Sequence, residues 1–218
     1  CKLVPQNQPQ HILRHTGRVI EACNLDVVVE SDFAQNADGW MPQVGSWTVA
    51  NGTYTHTGDG SSGTHRSSYA VAQSGSTVIE WTTTFDSGNL KAGFYFFGDN
   101  ANFNNAYRLQ QTGSAVELKR LGSNSWTETA SNSGAQLGET HSYRLTYEPD
   151  TGELVVWRNG VELMRRVDSN PLQGGAYVGL WAHKNGTMQF DNIEVATEQL
   201  YFFHSDHLGS ASAMSFGF

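Results

Sequence analysis

Leu154-Val155-Val156-Trp157-Arg158-Asn159-Gly160-Val161-Glu162-Leu163-Met164 is two runs of β-forming residues joined by Asn-Gly. β-Branched and aromatic side chains suit a pleated, half-buried surface. Asn-Gly suits a two-residue type I′ turn, because both central residues need positive φ. The stretch therefore reads as an antiparallel hairpin, with Val156 opposite Leu163 and Trp157 opposite Glu162. One face carries Leu154, Val156, Val161 and Leu163 and reads as core. Trp157 shares the other with Val155, Glu162 and Met164, looking outward or onto a groove. Asn51-Gly52 and Asn185-Gly186 make the same turn argument twice more.

Outward from this hairpin the pattern repeats. Thr77-Val78-Ile79-Glu80-Trp81-Thr82-Thr83-Thr84-Phe85 is β-branched or aromatic almost throughout. Tyr143-Arg144-Leu145-Thr146-Tyr147 alternates, which puts Tyr143, Leu145 and Tyr147 on one face. No run places apolar residues at i, i+3, i+4 and i+7, and glycine recurs too often for a helix. Strand signals roughly every 8–12 residues predict an all-β fold, an antiparallel β-sandwich of about a dozen strands. Three zones are expected: an irregular leader over 1–24, the sandwich over 25–196, and a separate segment over 197–218.

Composition narrows the function. Of 218 residues, 38% are hydrophobic and only 16% charged, with 23 Gly. Six Trp, eight Tyr and eleven Phe argue for a packed core. A net charge of −8 and scattered basic residues oppose a nucleic-acid partner, which needs clustered Lys and Arg. No apolar run approaches the roughly 20 residues of a membrane helix. Cys1 and Cys23 are too few for a disulfide framework and either pair or stay as thiols; no zinc-ligand spacing occurs. The chain opens on Cys1 without a leader and reads as a fragment.

Catalysis finds little support. A retaining glycosidase needs two carboxylates about 5 Å apart, yet Glu80, Asp86, Glu117, Glu128, Glu139, Glu148 and Glu153 are dispersed. Asp191 and Glu194, three apart, fall on opposite faces of a regular strand. No Gly-x-Ser-x-Gly elbow occurs. Carbohydrate binding fits better, since sugar sites join aromatic platforms to amide and charged groups. Asp99, Asn100, Asn102, Asn105, Tyr107 and Arg108 supply that mixture in one loop and the strand after it. Trp126, Trp157 and Trp181 are candidate platforms. The plainer alternative is an Asn-rich turn bonding its own backbone, with tryptophans in the core.

Several segments, in order, resemble a concanavalin A-like (laminin-G-like) jelly roll. They are Asp32-Phe33 with Asp38-Gly39-Trp40, Gly45-Ser46-Trp47 through Asn51-Gly52-Thr53-Tyr54, Gly93-Phe94-Tyr95-Phe96-Phe97, Asn105-Ala106-Tyr107-Arg108-Leu109, Arg158-Asn159-Gly160, and Phe190-Asp191-Asn192-Ile193-Glu194-Val195. The resemblance implies a lectin-like domain and a structural Ca²⁺ tying the last strand to the first. Its oxygen ligands would come from Asp191, Glu30, Asp32 and Gly52. The family-16 hydrolase pattern Glu-x-Asp-x-x-Glu is absent.

Tyr201-Phe202-Phe203-His204-Ser205-Asp206-His207-Leu208-Gly209-Ser210 resembles the Tyr-x-x-His-x-Asp-His-Leu-Gly-Ser signature of bacterial RHS/YD-repeat proteins. That resemblance implies a secreted or cell-surface setting. The remainder of the RHS-repeat polypeptide would be one partner and a glycan or other surface ligand another. The alternatives are a structural insert that binds nothing and a polysaccharide hydrolase.

Overall fold

The computed structural model describes the backbone of residues 19–205 and 211–215 and the side chains of 25–198. Strands are numbered in chain order. One sheet has the spatial order β13 (Val161–Val167), β12 (Glu153–Arg158), β11 (Thr140–Glu148), β6 (Thr77–Gly88), β15 (Gly186–Ser205), β4 (Thr53–Thr57) and β3 (Ser46–Ala50). Two more strands, β1 (Val19–Ser31) and β16 (Ala211–Ser215), pair with β15. The second sheet runs β10 (Trp126–Ser131), β9 (Ala115–Arg120), β8 (Tyr107–Gln111), β7 (Ala92–Gly98), β14 (Gly174–His183), β5 (Thr64–Ser74) and β2 (Met41–Val44). All pairings are antiparallel, and no helix occurs among the described residues. The fold is the all-β sandwich expected, with more strands than the dozen anticipated.

The two sheets enclose an aromatic core. Trp81 of β6 stacks at 5.0 Å on both Tyr143 of β11 and Phe94 of β7, linking the layers. Tyr143, Leu145 and Tyr147 all face inward, as their alternation predicts. β15 is the axis of its sheet. One edge pairs with β4 and then β1, the other with β6 and then β16. Ser31 lies opposite Ile193, so β1 and β15, which open and close the sandwich, are neighbours. Phe33 stacks on Tyr54 at 5.2 Å, Tyr54 on Trp47 at 5.3 Å, and Trp47 packs on Phe190 at 5.8 Å.

Four local expectations are corrected. The Asn159-Gly160 turn forms, with φ of 52° and 79°, but a bulge between Val156 and Trp157 sets Val156 opposite Met164 rather than Leu163. Met164 therefore joins Leu154 and Val156 in the core, while Val161 is exposed. Asn51-Gly52 closes the β3–β4 hairpin. Asn185-Gly186 does not close one, because β14 and β15 belong to different sheets. Glycine is needed there because a Cβ would press on backbone oxygens of Asn89 and Ser87. The boundaries drawn at 24/25 and 196/197 fall inside β1 and β15.

Asp191 and Glu194 are the fourth case. Asn192, at φ 50°, adds a bulge between them against β6, and Asp191 Oδ1 accepts from the Asn192 N–H at 2.7 Å. The extra residue resets the alternation, so Phe190 and Ile193 are both buried and Asp191 and Glu194 share the outer face.

Candidate functional site

Alternation along β5, β14, β7, β8 and β9 sends one set of side chains into the core and the other outward. Tyr107, Leu109 and Gln111 point in, and Arg108 and Gln110 point out. Ladder register lays the outward set in two rows. Arg66, Trp181, Gly93, Gln110, Glu117 and Thr129 follow one another across the sheet. Beside them run Ser68, Gly179, Tyr95, Arg108, Lys119 and Thr127.

The Asn-rich loop 99–106 folds onto this face through Phe103, whose ring stacks on Tyr95 at 4.3 Å and 4°. Gly98 and Gly179 leave the space, since a Cβ on either would collide with the Phe103 ring. Asp99 Oδ1 accepts from the Asn105 N–H at 3.3 Å and Asn100 Oδ1 from the Asn102 N–H at 2.8 Å, which fixes the loop's shape. Asn102 Oδ1 accepts from Arg66 Nη2 at 3.0 Å. The Arg108 guanidinium lies 4.9 Å above the Trp181 ring, and its Nη1 donates to the Tyr95 hydroxyl at 3.3 Å.

This face holds unanswered polar atoms, as do the core and the surroundings of Trp126 and Arg120. Arg66 Nε, Arg108 Nε, Gln110 Oε1, Asn105 Oδ1 and the Trp181 indole N–H are buried without a hydrogen-bonding partner. Such groups are uncommon, because each forfeits its hydration. Glu117 is occupied, accepting from Gln110 Nε2 at 2.6 Å and pairing with Lys119 at 2.7 Å.

The structure thus gathers Asp99, Asn100, Asn102, Asn105, Arg108 and Trp181. It removes two expected members. Tyr107 is wholly buried in the core, where its hydroxyl donates to Asp168 at 2.6 Å. It begins the strand one residue before Arg108, so its side chain takes the opposite face. Trp126 packs on Tyr107 at 6.0 Å and under the Arg166 guanidinium at 4.9 Å, away from this surface. Sequence reasoning missed Arg66 and Gln110, which lie far from the loop in the chain and meet it only through ladder register.

A second feature lies on the other sheet. A depression of about 510 Å³ is lined by Trp157, Glu80, Thr82, Arg144 and Asn192 among others, and Trp157, opposite the exposed Arg144, does look outward. Glu80 is ion-paired with Arg144. Register continues this row through Glu194 to Glu30.

The calcium ligands expected by resemblance are only partly assembled. Burial, and then the neighbouring charge of Asp32, hold the Asp191 carboxyl above its usual range. Asp32 Oδ1 accepts from the Ala34 N–H at 2.9 Å. Glu30 stands opposite Glu194, and Gly52 sits on the β3–β4 turn. Among the described residues no three acidic, His or Cys side chains converge as a metal site. Asp32 and Asp191 are near enough to interact, and main-chain oxygens would have to supply the rest of any cation site there.

Cys1 and Asp206–Ser210 of the RHS-like motif lie outside the described residues, as does the side chain of Cys23.

No family model and no curated protein matches the sequence. Solved structures do match. A carbohydrate-binding module, CBM66, from Bacillus subtilis aligns with a TM-score of 0.60 at 14% identity, over 73% of this chain and 94% of that one. A protein with a galectin-like fold, also from Bacillus subtilis, aligns with a TM-score of 0.64 at 10% identity, over 79% and 96%. SCLam, a non-specific endo-β-1,3(4)-glucanase of family GH16, gives 0.59 at 9%, over 86% and 94%. The chain has the fold of a concanavalin A-like jelly roll.

Proposed function

We propose that the chain is a non-catalytic carbohydrate-binding domain whose site is the outer face of the seven-stranded sheet around Trp181. One observation carries this: five polar groups from β5, β8, β14 and the 99–106 loop are buried together on that face without protein partners. Sugar hydroxyls both donate and accept, so they can satisfy amide, guanidinium and indole groups at once. Arg108 covers the Trp181 ring. Its displacement would expose an aromatic platform and an indole donor together. The similar solved structures include a carbohydrate-binding module, which supports the reading at the level of fold.

A glycan array tests it. Binding to a defined glycan should fall at least about tenfold in Asn105→Ala and Gln110→Ala variants that remain folded by near-ultraviolet circular dichroism. Silence across the array from a folded protein would replace this reading with a structural insert.

The setting follows the motif at 201–210. β15 runs to Ser205 and pairs there with β16; the RHS setting itself rests on the motif alone. On this reading the domain is displayed by a secreted or surface-exposed bacterial protein. The carboxylates of Asp32 and Asp191 would hold a structural Ca²⁺.

A hydrolase is the second reading, favoured by one observation. Glu30, Glu194 and Glu80 are direct neighbours across three strands beside the Trp157 depression, and directly opposed Cβ atoms are about 5 Å apart. Reducing-sugar release that disappears in Glu194→Gln would establish it in place of the binding domain.

A further inference from the structure

We propose that the Trp181 face selects anionic glycans, carbohydrates carrying carboxylate or sulfate groups. The proposal rests on the reading of that face as a glycan site and adds the class of sugar it takes.

Arginine pairing is the basis. In a chain of net charge −8, carboxylates are abundant. Arg120 stands 3.9 Å from Asp168, Arg144 pairs with Glu80, and Arg166 meets Glu128 at 3.0 Å. Arg165 reaches Glu153 at 2.7 Å and Glu162 at 3.1 Å. Arg158 donates inward to Gln111 Oε1 at 2.9 Å and to the Ser133 carbonyl at 2.5 Å. Arg66 and Arg108, like Arg158, have only neutral partners, Asn102 and Tyr95, but they present theirs on the outer face, where the Nε of each is also unanswered.

These two arginines flank one residue. Arg66 faces Trp181 across the β5–β14 ladder, and Arg108 lies over its ring. Both are half-buried, so each has lost hydration without gaining a counter-charge. Glu117 is neutralised on the same face by Lys119. Asp99, at the loop rim, is tied to the Asn105 N–H. The surface thus keeps two uncompensated guanidinium groups beside an indole. A carboxylate or sulfate matches the guanidinium fork with two parallel hydrogen bonds, and the ring carrying it would sit beside Trp181.

Matched ligand pairs test the charge alone. Short oligogalacturonate is compared with its methyl ester, and a sulfated galactan oligosaccharide with its desulfated parent, by titration calorimetry alongside the neutral array. At least one acidic member should bind about tenfold or more tighter than its neutral partner, and added salt should shrink the difference. Arg66→Gln and Arg108→Gln should each erase the preference, whereas Arg108→Lys should keep part of it. Thermal melts confirm that the variants fold, and the wild-type ligand pairs decide the question without them. Equal affinity for acidic and neutral partners, binding of neutral glycans alone, or a preference untouched by both Gln variants overturns the charge selection and leaves the glycan site standing. Silence of both pairs and of the array overturns both.

Discussion

His56 Nε2 and His65 Nδ1 lie 2.8 Å apart and join the two sheets, one ring coming from β4 and the other from β5. Both rings are buried. His56 packs against Trp47 at 5.0 Å, and His65 Nε2 stands 3.6 Å from Asp59. A hydrogen bond between two imidazoles needs one ring nitrogen to accept, so the pair cannot carry two protonated rings.

Acid should therefore weaken the fold in a defined window. Burial and then the neighbouring His65 push the His56 pKa from 6.5 down to about 4. Burial also lowers His65, against the opposing pull of Asp59. In the unfolded chain His56 takes up its proton near 6.5; in the folded chain it waits until about 4. Stability is thus complete above 6.5 and is lost as pH falls through that interval, by on the order of 3 kcal/mol for His56. Urea unfolding followed from pH 7.5 to 4.5 should show the decline, and His56→Gln should flatten it. A flat profile in the wild type would refute the assignment.

Tyr107→Phe separates a structural from a binding role. The Tyr107 hydroxyl donates to Asp168 at 2.6 Å, lies 3.2 Å from the Tyr147 hydroxyl, and accepts from the Leu172 N–H at 3.3 Å. Burial, then the bond to Asp168, pushes its pKa up to about 12. Removing it strips a buried carboxylate of its closest donor, which should cost about 2–3 kcal/mol in denaturant unfolding. Glycan affinity should be unchanged. A loss of affinity without a loss of stability would return Tyr107 to the binding site.

How much of this was legible depends on range. The Asn159-Gly160 turn, the inward set Tyr143, Leu145 and Tyr147, and the loop that carries Asn102 and Asn105 are all readable from local periodicity and turn chemistry. The bulges at Val156/Trp157 and Asn192 are not, because one extra residue inverts every later side chain. That single effect moved Met164 into the core and Glu194 onto the face of Asp191. The place of Tyr107 is hidden for a related reason: its alternation with Arg108 is visible in the sequence, but which of the two faces inward is not. Arg66 and Gln110 join the site only through pairing across β5, β14, β7 and β8.

Calcium should stabilise the fold if Asp32 and Asp191 share an ion. A metal bound only by the native state raises its stability through mass action, by about 2.7 kcal/mol at a hundredfold excess over Kd. Melting temperature should rise with added Ca²⁺, fall with EDTA, and stop responding in Asp191→Asn. An unresponsive wild type removes the metal assignment.

Gly179→Ala tests whether the 99–106 loop is a binding element or a bystander. A Cβ at Gly179 would enter the Phe103 ring, whose seat on Tyr95 holds the loop against the sheet. Gly179 itself offers no side chain to a ligand; a Cβ there would press mainly on Phe103 and more lightly on the Ser67 carbonyl of β5, so a Phe103 variant isolates the loop. Asn102 would then lose its position beside Arg66. Overpacking of this kind costs about 1–3 kcal/mol, which leaves room for a folded protein. The expected outcome is a modest fall in melting temperature with at least about tenfold weaker glycan binding. Phe103→Ala should reproduce the binding defect by removing the anchor instead of evicting it. Full affinity in both variants would place the ligand on the strands alone and confine the loop to covering Tyr95 and Trp181.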